Sequence, residues 1–510
     1  MIVEGMIISV DRSERGLPVP YHRQIYGQIR AAILSGRLRP GDRLPATRDL
    51  ARQLGLARNT VVRAYEDLAA EGYLESQVGS GTRVPVRLAV ARAERSTPAD
   101  MPTEPSEYGL SAWARRVLVT GSERAAAPAL PYDFRPGVPD WSAFPRTIWL
   151  RALGRALREK SDELVRYGEP AGYFPLRQAI ARHLAVSRGV RAAVEQVVIV
   201  SGAQQALDLL IRLRVDAGDV VAMEEPGYPE ARQAFIAAGA RVRSLPVDNE
   251  GLQPERLREG QVASLPPRLV YVTPSHQFPT GVTLTLERRL ALLDWARQVD
   301  TLLVEDDYDS EFRYAGRPVE SLQGLDKAGR VAYVGTFSTV LFPPFRIGYV
   351  VLPEGMMRPF VRAKHLADRQ SATLEQIALA SFIEEGHFER HLRRMRRLAA
   401  QRREAMVVAL KEQLGIEVAP PETGMHLLVA LGSCWAGSAH RSAEAAEAAI
   451  VAKAAGMGVG VYPGGPCWAE RCREPSLLLG YAALGPDQIR EGIRRLAVAI
   501  RRARAECAQA

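Results

Sequence analysis

Residues that could bind a flat, phosphorylated ligand are spread along the second half of the sequence. Residues 201–204 (Ser-Gly-Ala-Gln) place a small-residue turn before a predicted helix, where free backbone N–H groups and the helix dipole favour a phosphate. Tyr228 offers an aromatic ring that could stack on a heterocycle, and residues 305–312 combine carboxylates with a tyrosine. Each motif alone also fits a structural role, since such turns are common and acidic runs are usually solvated. The fold therefore decides whether these residues act together.

Two further motifs lie between predicted strands and the loops that follow them. Residues 273–281 form a Pro/Gly-rich exit from a strand, and residues 335–349 include Ser338, Thr339 and Arg346. Short apolar runs alternate with helical patterns through this half of the chain, which predicts a mostly parallel sheet with helices on both faces. The predicted strands are 197–200, 220–223, 269–272, 302–304, 331–334 and 347–352. Ligands of such α/β folds bind beyond the carboxyl ends of the strands, where these motifs are predicted to lie.

Residues 21–84 predict a separate small unit. Tyr21–Leu34 has apolar residues at helical spacing, a second helix is predicted over 46–54, and a third ends at Ala70. Residues 71–84 predict a two-stranded hairpin with a glycine-containing turn. Three helices with a tight turn between the second and third, followed by a hairpin, are typical of a winged helix-turn-helix.

This unit resembles the DNA-binding module of the GntR regulator family. The similarity lies in Leu-Pro-Ala-Thr-Arg-Asp-Leu-Ala at 44–51, Leu-Gly-Leu-Ala-Arg-Asn-Thr-Val at 54–61, Glu-Gly-Tyr-Leu at 71–74 and Gly-Ser-Gly-Thr at 79–82. It implies that the protein binds double-stranded operator DNA. The residues expected to contact DNA are Arg48, Arg58, Asn59, Thr60, Arg63, Gly81 and Thr82.

The residue types fit this expectation physically. Arg48 and Arg58 flank the start of the predicted recognition helix, where guanidinium groups can reach guanine edges or phosphates. Asn59 and Thr60 are expected to cap that helix and to contact the DNA backbone. Together with Gly79, Gly81 permits close approach of the wing tip to DNA.

The whole chain then divides into four parts. The boundaries that we predict are 18–85 for the winged helix, 86–130 for a linker, 131–400 for a large α/β domain and 401–505 for a smaller α+β domain. The linker is rich in Ala, Arg, Pro, Ser, Thr and Glu and has little periodicity. Trp113 and Leu118 indicate a short docking helix near its end.

In order and spacing, the motifs of the second half resemble a fold-type I aminotransferase, and with the winged helix they resemble the MocR-type regulators within the GntR family. The resemblance covers nearly all of residues 18–500. It implies a pyridoxal phosphate-binding domain fused to the DNA-binding module, and a head-to-tail homodimer. The cofactor-binding residues implied are Ala203, Gln204, Tyr228, Asp306, Tyr308, Ser338 and Arg346.

The resemblance also gives most of these residues a role. Ala203 and Gln204 would hold the phosphate, and Tyr228 would stack on the pyridine ring. Asp306 would pair with the pyridinium nitrogen, which keeps the ring protonated as an electron sink. Tyr308 would reach the phenolic oxygen, while Arg346 would lie beside the cofactor or a substrate carboxylate.

The chain departs from the family pattern at its central catalytic position. The Schiff-base lysine should follow Thr336-Phe337-Ser338, but Thr339 stands there, and a hydroxyl cannot form the imine. The five lysines are Lys160, Lys327, Lys364, Lys411 and Lys453, and none occupies a motif position. We therefore expect no catalytic residue of the usual kind, and only noncovalent binding of pyridoxal phosphate or a related ligand.

A second departure concerns the arginine that fold-type I aminotransferases use for the substrate carboxylate. Residues 477–482 (Leu-Leu-Leu-Gly-Tyr-Ala) contain no arginine, and Arg471 and Arg473 precede them in a loop. Three functions stay open at this point. The favoured one is a transcriptional regulator whose aminotransferase-like domain dimerises and senses a small-molecule effector. The alternatives are an aminotransferase with a substitute lysine, and a regulator whose large domain binds no ligand.

Composition is consistent with an ordinary globular protein. The chain has 510 residues, 47% of them hydrophobic and 25% charged, which excludes collagen-like and wholly disordered classes. No apolar run is long enough to span a membrane and no signal peptide is evident, so we expect a cytoplasmic protein. Four cysteines with no zinc-type spacing predict neither a disulfide framework nor a metal site. The formal charge of +9 does not by itself locate a DNA-binding face.

Overall fold

A computed structural model describes the chain as two compact units, Met1–Gly109 and Leu110–Ala510. The described residues are 8–10, 19–77, 81–86, 109–120, 130–259, 265–314, 319–418, 422–432, 442–469 and 474–509. Gly79, Arg471 and Arg473 of the sequence predictions lie outside these ranges. Among the residues within them, no helix has the length and apolar character needed to cross a bilayer.

The first unit is the predicted winged helix-turn-helix. Its elements are α1 (Tyr21–Leu34), α2 (Thr47–Leu54), α3 (Arg58–Ala70), β1 (Glu75–Gln77) and β2 (Gly81–Arg83). Gly55 has a φ of 62°, which ends α2 and permits the tight turn into α3. The apolar stripes of the three helices meet in one core that includes Ile25, Ile29, Val61 and Leu68, each fully buried.

The second unit begins with a short helix and continues as a layered α/β structure. Its helices are α4 (Ala112–Val119), α5 (Arg146–Glu159), α6 (Ser161–Leu164), α7 (Phe174–Ser187), α8 (Ala203–Arg214), α9 (Pro229–Ala238), α10 (Leu286–Val299), α11 (Leu322–Leu325), α12 (Glu354–Asp368), α13 (Thr373–Glu384), α14 (His387–Leu414), α15 (Ala443–Ala455) and α16 (Pro486–Gln509).

Eight strands form the central sheet of this unit. They are β4 (Val197–Val200), β5 (Val220–Glu225), β6 (Arg241–Asp248), β7 (Gly251–Leu252), β8 (Leu269–Val272), β9 (Leu302–Asp307), β10 (Val331–Thr336) and β11 (Gly348–Val351). Their order is β4-β11-β10-β9-β8-β5-β6-β7, and only β11 and β7 run against the others. The predicted mostly parallel sheet is therefore confirmed. The carboxyl ends of β4, β5, β8, β9 and β10 share one edge.

Smaller sheets complete the unit. The remaining strands are β3 (Tyr132–Asp133), β12 (His426–Ala430), β13 (Val459–Gly460), β14 (Tyr462–Pro463) and β15 (Ser476–Gly480). Strands β12, β15 and β14 form an antiparallel sheet, and β3 pairs with β13 although more than three hundred residues separate them. This pairing brings the start of the unit against its carboxyl-terminal part.

Helix α4 lies within the stretch that sequence analysis assigns to the linker. It packs against α9, and the Arg116 guanidinium donates to the carbonyl oxygens of Ala237 (2.8 Å) and Ala238 (3.2 Å) at the end of that helix. Trp113 and Leu118 contribute little to this contact, because they remain 49% and 71% exposed. The helix that these two residues predict exists, and Arg116 fixes its position.

Candidate functional site

A cavity of about 670 Å³ lies beyond the shared carboxyl ends of the parallel strands. Its lining includes residues at or just beyond the ends of β4, β8, β9 and β10, as the topology of an α/β sheet requires. It brings together every residue for which a cofactor contact or a loss of catalysis is predicted, namely Ala203, Gln204, Tyr228, Asp306, Tyr308, Ser338, Thr339 and Arg346.

One end of the cavity has the features of an anion site. Gly202 precedes α8 with a φ of 87°, and a Cβ added there would lie 2.6 Å from Nη2 of Arg346, so only glycine fits. Arg346 donates to the carbonyl oxygen of Ser201 (2.8 Å) and so lies across the first turn of α8. The hydroxyl of Ser338 is buried and has no hydrogen-bond partner among the described residues. A buried hydroxyl, a guanidinium and a helix start are donors that suit a phosphate.

The carboxylate of Asp306 lies at the centre of the cavity wall. Its Oδ2 accepts a hydrogen bond from the Tyr271 hydroxyl at 2.7 Å, whereas Oδ1 is buried without a partner in the described part of the chain. Burial raises the pKa of Asp306 to about 7. A buried acceptor without a partner is costly, so Oδ1 is suited to receive a proton donor from a ligand.

We expect Asp306→Asn to stabilise the ligand-free protein at pH 8 and to weaken binding of pyridoxal phosphate by about 10- to 100-fold. The pKa of Asp306 in the folded protein lies above its value of 3.8 in the unfolded chain. The protonated carboxyl group therefore contributes its full stabilisation of the folded state below pH 4, and this stabilisation is lost as the pH rises through 7. Asparagine has no such titration. Thermal unfolding from pH 4 to 8 should show wild type losing stability relative to the variant. Parallel pH profiles would contradict the assignment.

Tyr308 is held by a buried histidine. Its hydroxyl donates to the carbonyl oxygen of His276 (3.0 Å) and lies 2.9 Å from Nδ1 of the same residue. Nδ1 also contacts Asp309 at 2.9 Å, and the ring of His426 stacks near that of Tyr308 with centroids 6.2 Å apart. His276, Asp309 and His426 are all buried, and the side-chain nitrogen and oxygen atoms by which they could bind a metal lie within 4.8 Å of one another. Through its contacts with Asp309 and Tyr308, His276 fixes the position of the Tyr308 hydroxyl.

Tyr228 forms a different wall of the cavity. It is the residue immediately before α9, and its ring meets that of Phe278 edge to face at 5.3 Å. Tyr228 is half-buried and lines the cavity. A ligand that stacks on Tyr228 therefore touches the first turn of α9.

Thr339 lines the cavity, and its Oγ1 donates to the carbonyl oxygen of Tyr308 at 2.5 Å. All five lysines are among the described residues, and none lines the cavity. Lys364 is fully buried, but it is paired with Asp368 at 2.9 Å on α12. Lys160, Lys411 and Lys453 pair with glutamates at the surface, and Lys327 is exposed.

The part of the cavity wall that β15 forms carries the second departure from the family pattern. Leu478 on β15 lines the cavity, whereas its neighbours Leu477 and Leu479 point into the hydrophobic core. No arginine stands on this stretch of strand, as the sequence indicates.

Several residues that line or support the cavity have no role predicted from the sequence. Tyr271 reads as a core tyrosine within a buried strand, and His426 begins a strand with no motif around it. His276 lies inside the 273–281 motif, which was the available signal. Arg135 also lines the cavity, and nothing in the local sequence identifies it.

The expected DNA-contacting residues lie on the surface of the first unit. Arg48, Arg58, Asn59 and Arg63 are exposed on α2 and α3, and Thr82 hydrogen-bonds Ser76 across the hairpin at 3.1 Å. One expectation is wrong: α3 begins at Arg58 after Ala57 and has no side-chain cap, so Asn59 and Thr60 lie within the first turn and do not cap it. Their amide and hydroxyl groups are thus not used as caps.

Comparisons with known proteins match both units. The family of aminotransferases of class I and II matches residues 142–496, and the family of bacterial regulatory proteins of the gntR family matches residues 21–84. The chain is 41% identical over 491 residues to the probable rhizopine catabolism regulatory protein MocR of Rhizobium meliloti, covering 95% of this chain and 94% of that protein. It is 34% identical to the pyridoxine biosynthesis transcriptional regulator PdxR of Corynebacterium glutamicum, covering 81% and 83%.

Among solved structures, the chain is similar to LysN, the α-aminoadipate aminotransferase of Thermus thermophilus, complexed with N-(5′-phosphopyridoxyl)-L-leucine. The TM-score is 0.67 at 32% sequence identity, and the match covers 78% of this chain and 96% of LysN. The second unit therefore has the fold of enzymes of this class, a fold that typically binds pyridoxal phosphate.

Proposed function

Because this chain belongs to the MocR-type regulators of the GntR family, we propose that its aminotransferase-like unit senses a phosphopyridoxyl ligand and controls operator binding by the winged helix. The protein is a DNA-binding transcriptional regulator with an aminotransferase-like domain. The observation that carries the sensing role is the cavity itself, which keeps the residues for the cofactor's phosphate, ring and ring nitrogen but has no lysine in its wall.

The residues present fit pyridoxal phosphate or pyridoxamine phosphate. The unpartnered Oδ1 of Asp306 would meet the protonated ring nitrogen, and the unpartnered hydroxyl of Ser338, with Arg346 and the start of α8, would hold the phosphate. When bound, the group supplies an electron-withdrawing ring and, as the aldehyde, an electrophilic carbon. Thr339 has no amine to form an imine with that carbon, so the proposed binding is noncovalent and exchangeable, and transamination by the usual route is lost.

We propose that α9 carries the signal from the cavity to the linker. Tyr228 and Glu230 at its start line the cavity, and Arg116 of α4 binds the carbonyl groups at its end. A ten-residue helix is about 15 Å long, so ligand contacts at one end act on the linker helix through a single rigid element. A ligand shifts operator affinity only by binding the two arrangements unequally. In the proposed homodimer this would change the relative placement of two winged helices.

The test is operator binding by the full chain with and without ligand. An operator is first selected from a random duplex pool, and its Kd is then measured by fluorescence anisotropy at fixed salt. We expect pyridoxal phosphate or pyridoxamine phosphate to change Kd by about 5-fold or more, the usual range of allosteric coupling. Asp306→Asn should lack the response at the same ligand concentration while binding operator normally.

Arg58→Ala serves as the control for the DNA face. It should lose about 1 to 3 kcal/mol of discrimination between operator and random duplex, because Arg58 is expected to read a base edge. Its ligand affinity should be unchanged. If wild type binds operator equally well with either ligand and without it, the sensing role is excluded and the regulator that binds no ligand becomes the better description.

A further inference from the structure

The cavity contains a second cationic group that the proposed cofactor contacts do not use. Among the residues that the structure describes, two arginines line it, Arg346 and Arg135. Arg346 lies at the phosphate end, beside Ser201 and Gly202. Arg135 follows β3 and bonds to Tyr462, the cross-strand partner of Leu478, on the strand where the aminotransferase pattern has lost its arginine.

Arg135 is held by one edge of its guanidinium only. Its Nε donates to the Tyr462 hydroxyl at 2.7 Å, and that hydroxyl in turn donates to Asp133 at 2.8 Å. Asp133 also approaches Nε at 3.4 Å. The terminal nitrogens Nη1 and Nη2 have no hydrogen-bond partner among the described residues, and the side chain is 41% exposed. The guanidinium is thus fixed in place while its two-nitrogen fork is left unoccupied.

The backbone places Arg135 next to the strand on which the aminotransferase arginine is missing. Tyr462 on β14 is the direct cross-strand partner of Leu478 on β15. The backbone of Arg135 also lies so close to Gly480 that a Cβ at that glycine would be 2.3 Å from the Arg135 carbonyl oxygen. Tyr462 of β14 and Gly480 of β15 therefore hold Arg135 close to Leu478, and both residues line the cavity.

We propose that Arg135 binds a carboxylate of the ligand, so that the pocket recognises a phosphopyridoxyl compound joined to an amine that carries a carboxylate. A guanidinium with a fixed Nε and an unoccupied fork suits bidentate carboxylate binding, and fixing it beforehand reduces the entropy lost on binding. With Arg346 beside the start of α8, the same cavity then holds cationic groups for a phosphate and for a carboxylate. This assignment rests on the proposed sensing of a phosphopyridoxyl ligand by the same cavity.

The test uses reduced phosphopyridoxyl adducts in two matched pairs, each differing only by a carboxylate. The pairs are the adducts of L-leucine and 3-methylbutylamine, and those of 5-aminopentanoate and butylamine. Kd values are measured by calorimetry on the full chain, with pyridoxamine phosphate as the reference. In wild type, we expect at least one carboxylated adduct to bind about 10-fold or more tightly than its partner.

Three variants make the result specific. Arg135→Gln should remove the carboxylate preference while leaving the affinity for butylamine adduct and pyridoxamine phosphate within 2-fold, roughly the scatter of such contacts. Tyr462→Phe keeps the cation but frees its Nε, so it should reduce the preference only in part. Arg495→Gln removes an arginine that packs on Tyr132 outside the cavity lining and should bind all ligands as wild type does.

The outcomes separate the two proposals. If pyridoxamine phosphate binds but neither carboxylated adduct is preferred, or if the preference survives in Arg135→Gln, the role of Arg135 is overturned and the sensing role stands. If neither pyridoxamine phosphate nor any adduct binds, the proposed function fails, and the role of Arg135 fails with it.

Discussion

Thr339→Lys is expected to convert a protein that releases pyridoxal phosphate on denaturation into one that retains it covalently. The lysine would stand after β10, in a cavity that keeps an anion site, Tyr228 and Asp306. Its amine would condense with the bound aldehyde and release water, so that each chain holds one cofactor. Burial of Nζ in the cavity wall would favour the neutral, reactive amine.

Native and denaturing mass spectrometry, before and after borohydride reduction, measures this change directly. Wild type should show the cofactor mass only under native conditions, whatever the reduction, and the variant should show it under denaturing conditions once reduced. Thr339→Ser is the matched control and should behave as wild type, because it keeps the hydroxyl that bonds to the Tyr308 carbonyl. A borohydride-stable mass increment in wild type would instead reveal a substitute lysine. An aminotransferase that uses a substitute lysine would then be the better description of the protein.

The sequence predicted the architecture of both units well, because the relevant patterns are local. The central strands β4 and β8 are continuous apolar runs, and β9 and β10 each begin with one, as expected for strands buried on both faces. Strands β6 and β7 were missed. They lie at the edge of the sheet, and β6 alternates arginines with half-buried residues and contains Pro246, which weakens the strand pattern.

The candidate site could be predicted only as far as its residues sit in contiguous motifs. The loop residues after β4, β9 and β10 were identified because small residues, carboxylates and tyrosines cluster there. Arg135 could not be predicted as a site residue because its partner Tyr462 is 327 residues away in the chain. The pairing of β3 with β13 brings the two residues together. Tyr271 could not be predicted either, because the sequence around a strand tyrosine is the same whether its side chain packs in a core or hydrogen-bonds to a functional carboxylate.

A buried ion pair behind the site provides the largest expected effect on stability. Arg188, just after α7, contacts Asp307 at 2.8 Å, and both side chains are at most 5% exposed. Tyr333 also donates to Asp307 at 2.6 Å, and Arg188 donates to the Val319 carbonyl at 3.0 Å and to the Ser275 hydroxyl. Arg188 thereby ties β9, immediately after Asp306, to the loop that follows β8.

We expect Arg188→Leu to lower the free energy of unfolding of the second unit by about 3 to 5 kcal/mol, because it leaves the Asp307 carboxylate buried without its cation. All six tryptophans follow residue 109, so tryptophan fluorescence in urea reports on this unit alone. Arg191→Leu is the matched control: Arg191 is 78% exposed and lies 3.9 Å from Glu320, so its loss should cost at most about 1 kcal/mol.

Adding Asp307→Leu to Arg188→Leu distinguishes an uncompensated charge from lost packing. If the cost of the single variant comes from the isolated carboxylate, the double variant should be more stable than Arg188→Leu, since replacing both partners of a buried pair with apolar groups is often near neutral. If the double variant is less stable than either single variant, Arg188 acts mainly through its bonds to Ser275 and Val319. In that case its role is to anchor the β8 loop, which carries His276 and thereby positions Tyr308 in the cavity.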